Sequence, residues 1–179
     1  TPSLKSQDAD GRVIYIGSLS KSVFPGLRLG YLVAPEHVIE QARALRHLIF
    51  RHPPGHAQRT LAYFMALGHY DAQIRRLRRH LARRRSLLQK ALAYEPLFTQ
   101  SAPHFGGTSF WVRGPDWLDS RILAEKAIEK GVLIEPGDVF FPNVEAPLNY
   151  FRLSYSAISA EKINEGFRLL TVALHSLRS

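Results

Sequence analysis

Within the stretch SLSKSVFPGLRLGY, Ser18 to Tyr31, a primary amine, a guanidinium and three hydroxyls fall inside eleven residues, among them Ser18, Ser20, Lys21 and Arg28. A lysine amine condenses with an aldehyde once it is desolvated or placed near positive charge, because either lowers its pKa. Arg28 is a fixed planar cation whose fork can hold phosphate oxygens at two points, and its charge would also depress the lysine pKa. The hydroxyls of Ser18 and Ser20 can donate to the same oxygens. Gly30 lets two backbones approach closely. An aldehyde carrying a phosphate would be matched at both ends by this set.

The elements around the stretch must position it. VIYIG (Val13 to Gly17) and LGYLVA (Leu29 to Ala34) read as buried strands on either side. A lysine between two apolar strands is costly unless it is exposed, paired or chemically used. Pro35 to Phe50 follows with helix signals: proline first, Glu36 in the first turn, and Val38, Ile39, Ala42, Leu45 and Ile49 at helical spacing. Pro53–Pro54 interrupts, and Ala57 to Leu67 forms a further helix stopped at Gly68. The longest predicted helix runs from about Asp71 to Tyr94, with Ile74, Leu77, Leu81 and Leu88 as its apolar stripe. Beyond Pro96 the texture changes to short strands, LFTQ, TSFWVR, VLIEPG and NYFRLSYS. Helices are expected at Asp116 to Gly131 and over the last twenty or so residues, with Ser159 as N-cap. The expected organisation is 1–70, 71–94 as a long connecting helix, and 95–179.

The 179 residues are 45% hydrophobic and 22% charged, enough to bury a core. No apolar run approaches a membrane span, and the first residues have no signal-peptide pattern. The absence of cysteine excludes disulfides and thiolate metal sites and fits a reducing cytosol. His47, His52 and His56 straddle the proline pair with no acidic neighbours, so no metal site is expected. The net charge of +9 is local in origin: IRRLRRHLARRR, Ile74 to Arg85, holds seven arginines. They lie mostly off the apolar stripe and read as a solvated face. The sharper alternative is contact with nucleic-acid phosphates.

The lysine stretch resembles the cofactor-lysine segment of fold-type I enzymes that use pyridoxal 5′-phosphate (PLP), S-x-[ST]-K-x-x-x-P-x-x-R-x-G-[YW]. Ser18, Ser20, Lys21, Pro25, Arg28, Gly30 and Tyr31 fill every specified position. FGGTSFWV (Phe105 to Val112) resembles a small-lobe strand of that fold, and GVLIEPGDVFF (Gly131 to Phe141) its G-V-x-V-x-P-G-x-x-F segment. YFRLSYS places Arg152 where aminotransferases of this fold carry the arginine that grips the substrate's α-carboxylate. Arg51 to Leu92 is most similar to the MocR group of GntR-type bacterial regulators, which fuse a winged-helix DNA-binding domain to an aminotransferase-like domain. It departs from that pattern at Gln73, Leu77 and Leu81.

The resemblance implies an α/β fold: the C-terminal part of the large lobe of a fold-type I PLP-dependent transferase, plus its α+β small lobe. It implies Lys21 as covalent anchor, Ser18, Ser20 and Arg28 around the cofactor phosphate, and Arg152 on the carboxylate of an amino-acid ligand. The family's aspartate for the pyridine nitrogen, its ring-stacking aromatic and its asparagine at the ring hydroxyl lie upstream of the lysine and have no counterpart here. The expectation is therefore a fragment of a longer cytoplasmic protein, a homodimer that binds PLP, with this stretch alone binding it weakly or not at all. DNA would be bound through a domain absent from the chain. A free-standing aminotransferase acting on a 2-amino acid would share every site residue, with Lys21 then also the general base. A DNA-binding module acting through the arginine helix is a third reading.

Overall fold

A computed structural model describes residues 2–100, 107–142 and 146–178. Phe105 and Gly106, at the start of the glycine-pair segment, lie outside the described residues. The chain forms two compact units, 1–77 and 78–179, and the division falls inside the longest helix.

In the first unit, β1 (Tyr15–Ser18) and β2 (Gly30–Val33) pair antiparallel, Tyr15 opposite Val33 and Ser18 opposite Gly30. A 3₁₀ turn, Pro25–Leu27, lies between them. Helix α1 (Glu36–Phe50) starts where Pro35 fixes the entry, its carbonyl accepting from the Val38 and Ile39 amides. Pro53–Pro54 separates it from α2 (Gly55–Ala66). Gly68 then turns the chain at φ +75° into α3 (His69–Ala93). The core of this unit is small: Leu19, Leu27 and Leu29 are buried, with Val23, Ala57, Leu61 and Tyr70 packed against them.

The flanking strands are not buried as the sequence suggested. Only Gly17 of β1 is buried and all of β2 is exposed, Ile16 at 78%. Continuous apolar runs suit strands covered on both faces, and a two-stranded ribbon does not supply that cover. Helix α1 likewise exposes Leu45, Leu48, Ile49 and Phe50.

The second unit is a two-layer α/β sandwich. Strands β3 (Thr99–Gln100), β4 (Ser109–Arg113), β5 (Glu135–Pro136) and β6 (Tyr150–Ser154) form an antiparallel sheet in the order β3-β4-β6-β5. Alternation sends Phe110, Val112, Phe151 and Leu153 to one face. They share a core with Leu88 and Leu92 of α3, Leu123 and Ala127 of α4 (Ser120–Glu129), and Phe167, Leu170 and Leu174 of α5 (Ile163–Ser176). Each large apolar side chain of this set, fully buried, stabilises by about 1.5–3 kcal/mol. Phe98 adds an edge-to-face contact with Phe151 at 5.1 Å between centroids.

Two helix starts differ from the sequence reading. Helix α4 begins at Ser120, not Asp116, because Asp119 caps it by accepting from the Arg121 amide at 2.9 Å. Pro115 to Leu118 instead forms a turn, closed at 3.0 Å. Ser159 precedes a 3₁₀ turn, Ala160–Lys162, and α5 proper starts at Ile163. Among the described residues, no helix is long and apolar enough to cross a membrane.

Candidate cofactor turn and anion site

The lysine turn is held at its base by backbone and leucines. Past the Ser18–Gly30 pair, the Leu19 amide donates to the Leu29 carbonyl at 3.0 Å, closing a loop from 19 to 29. Inside it the Val23 amide donates to Leu19 O at 2.9 Å and the Leu27 amide to Phe24 O at 3.2 Å. Leu19, Leu27 and Leu29 point into the core of this unit. The intervening polar side chains are thereby left outside: Ser18, Lys21 and Arg28 are exposed and Ser20 is half-buried. The Ser20 amide donates to Ser18 Oγ at 3.4 Å, which ties the two hydroxyl residues together. The lysine loop and the arginine therefore belong to one closed backbone ring.

Arg28 itself adopts φ 48°, ψ 32°, the left-handed region. A residue with a Cβ is disfavoured there by roughly 1–2 kcal/mol, and glycine would fit without that cost. The fold keeps an arginine where the backbone prefers glycine. Such outliers concentrate where a side chain is needed for something other than packing.

The Tyr31 ring lies over Gly17. A Cβ there would fall 2.2 Å from the ring of Tyr31, its strand partner. Tyr31 lies 5.9 Å from Tyr15, centroid to centroid. The hydrogen bond with Tyr15, and then partial desolvation, push its phenol pKa up. A groove of about 500 Å³ beside this pair is lined by Gly17, Gly30 and Tyr31 and by Arg43 and Arg46 of α1.

Arg152 belongs to the second unit. It sits on β6, an interior strand, on the sheet face opposite the core. Its Cα partners are Trp111 on β4 and Glu135 on β5. The guanidinium forms an ion pair with the Glu135 carboxylate and lies 5.5 Å over the Phe140 ring. Trp111 stacks on Tyr150 at 5.8 Å and meets Phe140 edge-on at 5.6 Å. Gly137 makes this packing possible: its amide donates to Tyr150 O at 2.8 Å, and a Cβ would fall 2.5 Å from that oxygen and 2.8 Å from the Trp111 ring.

Sequence reasoning singled out Arg152 but missed Glu135, Phe140 and Trp111 as its neighbours. The period-two alternation of TSFWVR and YFRLSYS carries part of the signal, since it puts Trp111 and Arg152 on the same kind of face. Which residue stands beside Arg152 depends on strand register, which those runs do not specify.

Part of the arginine run is engaged within the second unit. Arg83 pairs with Glu161 at 3.5 Å, Arg84 donates to Ser156 O at 2.6 Å, and Arg85 lies 5.7 Å over Phe110. Arg75, Arg78 and Arg79 are exposed.

The sequence matches the family described as aminotransferase class I and II over residues 2–170. It is 49% identical to the HTH-type transcriptional regulator TauR of Rhodobacter capsulatus over 97% of this chain and 36% of that protein. It is 30% identical to aromatic-amino-acid aminotransferase 1 of Thermococcus litoralis, over 93% of this chain and 40% of that enzyme. The fold superposes on the multiple substrate aminotransferase of Thermococcus profundus with a TM-score of 0.89 and 29% identity, covering 98% of this chain and 44% of that one. The chain thus spans well under half the length of the proteins it matches.

Proposed function

Because the chain belongs to the class I and II aminotransferase family, with its fold-type I architecture, we propose that it is the PLP-binding, ligand-sensing region of a MocR-type transcriptional regulator. The regulator half of the reading is supported by the 49% identity to TauR, against 30% for the aminotransferase above. The observation that carries the cofactor half is the closed Leu19–Leu29 loop, with Lys21 exposed in it and Arg28 held left-handed at its exit.

By donor type, the residues of this loop suit the aldehyde and the phosphate of PLP. Lys21 supplies the amine for its aldehyde, Arg28 the fork for its phosphate, and Ser18 and Ser20 the hydroxyls that complete the phosphate shell. When bound, the cofactor supplies an electrophilic carbon and an electron sink for an amino acid's amine. Arg152 takes the ligand's carboxylate, while Phe140 holds the guanidinium's position. In a regulator this set senses an amino acid, and DNA is bound by a separate domain. Two subunits complete each pocket, in a protein of the cytosol. The same residues would serve a free-standing aminotransferase, a second reading that the likeness to a solved enzyme supports less strongly.

The test uses the full-length protein. Borohydride reduction in the presence of PLP, followed by peptide mass mapping, should mark Lys21, and Lys21→Ala should abolish the mark. Binding to DNA fragments selected from the source genome should change on adding PLP with an amino acid. Modification at another lysine would overturn the cofactor assignment. Fast conversion of an amino acid to its 2-oxo acid without any DNA binding would replace the regulator with the enzyme.

A further inference from the structure

Arg152 and Glu135 meet through strand register: they are directly opposed Cα partners on β6 and β5. The pairing is therefore built into the sheet. It does not depend on the reach of two long side chains. The guanidinium is fixed from a second side by Phe140, which lies on the turn immediately after β5. Gly137 holds that turn against Tyr150 and Trp111.

A guanidinium has five donors, but its strongest contact is a planar fork to one carboxylate. A ligand's carboxylate and the Glu135 carboxylate are the same chemical group competing for the same fork. Both side chains of the pair are about half exposed, 45% and 44%. Exchange between them therefore takes place in a screened, solvated setting where an ion pair contributes about 0.2–1 kcal/mol.

We propose that Glu135 is an affinity-setting residue, an internal carboxylate that holds the Arg152 guanidinium until the ligand's acid group displaces it. This rests on the reading of Arg152 as the ligand's carboxylate site. Glu135 weakens every simple monocarboxylate by the same factor. The ligands that succeed are those whose remaining groups add contacts of their own, so a carboxylate alone does not fill the site.

The probe is propionate, a monocarboxylate with no amine, so that only the anion contact is read and no chemistry follows. Its affinity for the full-length protein is measured by saturation-transfer NMR in wild type, Glu135→Gln, Glu135→Asp and Arg152→Ala. Glu135→Gln should tighten propionate by up to about fivefold, the upper end set by a half-exposed ion pair. Glu135→Asp, which keeps the charge, should stay near wild type and guards against a folding defect in the amide variant. Combining Glu135→Gln with Arg152→Ala should abolish the gain. If Arg152→Ala binds propionate as wild type does, the carboxylate reading of Arg152 falls and this proposal with it. If Arg152→Ala weakens binding while Glu135→Gln leaves it unchanged or weaker, only the role of Glu135 is refuted.

Discussion

Replacing Arg28 by glycine should separate what the fold prefers from what the site needs. At φ 48° and ψ 32°, removing the Cβ relieves about 1–2 kcal/mol of left-handed strain. The freer unfolded chain of a glycine takes back about 0.5–1 kcal/mol. Arg28 is exposed, so little packing is lost, and the folded protein should be unchanged or up to about 1.5 kcal/mol more stable. Cofactor affinity should move the other way. Hydrogen bonds to a charged group contribute about 1.5–3 kcal/mol, which corresponds to a rise in Kd of about tenfold to a hundredfold. Urea unfolding without cofactor reads the first quantity, and a PLP titration followed by absorbance reads the second. Arg28→Ala keeps the strained Cβ and should lose affinity without gaining stability. A glycine variant that unfolds more than about 1 kcal/mol more easily would show that Arg28 is structural. Unchanged PLP affinity would refute its phosphate role.

Two further outcomes test the supports of the turn and of the sheet. Gly137→Ala should destabilise the second unit by about 1–3 kcal/mol, because the new methyl meets the Tyr150 carbonyl, which is backbone and cannot swing away; an unaltered melting temperature would contradict this. Asp8, ahead of β1, accepts from the Lys5 ammonium at 2.7 Å, with the Val13 and Arg12 amides adding to it. These contacts hold its carboxyl at about 2, below the ordinary 3.8. Since the folded value is the lower one, its contribution is complete above pH 4 or so and is lost as pH falls through about 2. An NMR titration of the Asp8 carboxyl should give that depressed midpoint, and a midpoint near 3.8 would contradict these contacts.

Local chemistry makes the lysine stretch legible in one dimension. Serine, lysine, proline, arginine and glycine each answer there to a separate physical demand, and their order is enough to reach the family and the fold class. The helices are also legible, because periodicity and proline breaks are local. Their starts are less so: Asp119 displaces the expected start of α4 because a cap is chosen by side-chain geometry as well as by composition.

Tertiary structure decided the rest. VIYIG and LGYLVA carry the composition of buried strands, yet within these 179 residues β1 and β2 are exposed apart from Gly17. Burial is a property of what lies alongside, and a strand's own residues do not fix it. The left-handed turn at Arg28 has no signature in a sequence that shows no glycine or asparagine there. The partner of Arg152 was hidden for a related reason: register across β5 and β6 joins residues 135 and 152, seventeen positions apart. Only the assembled sheet determines which carboxylate stands beside that guanidinium.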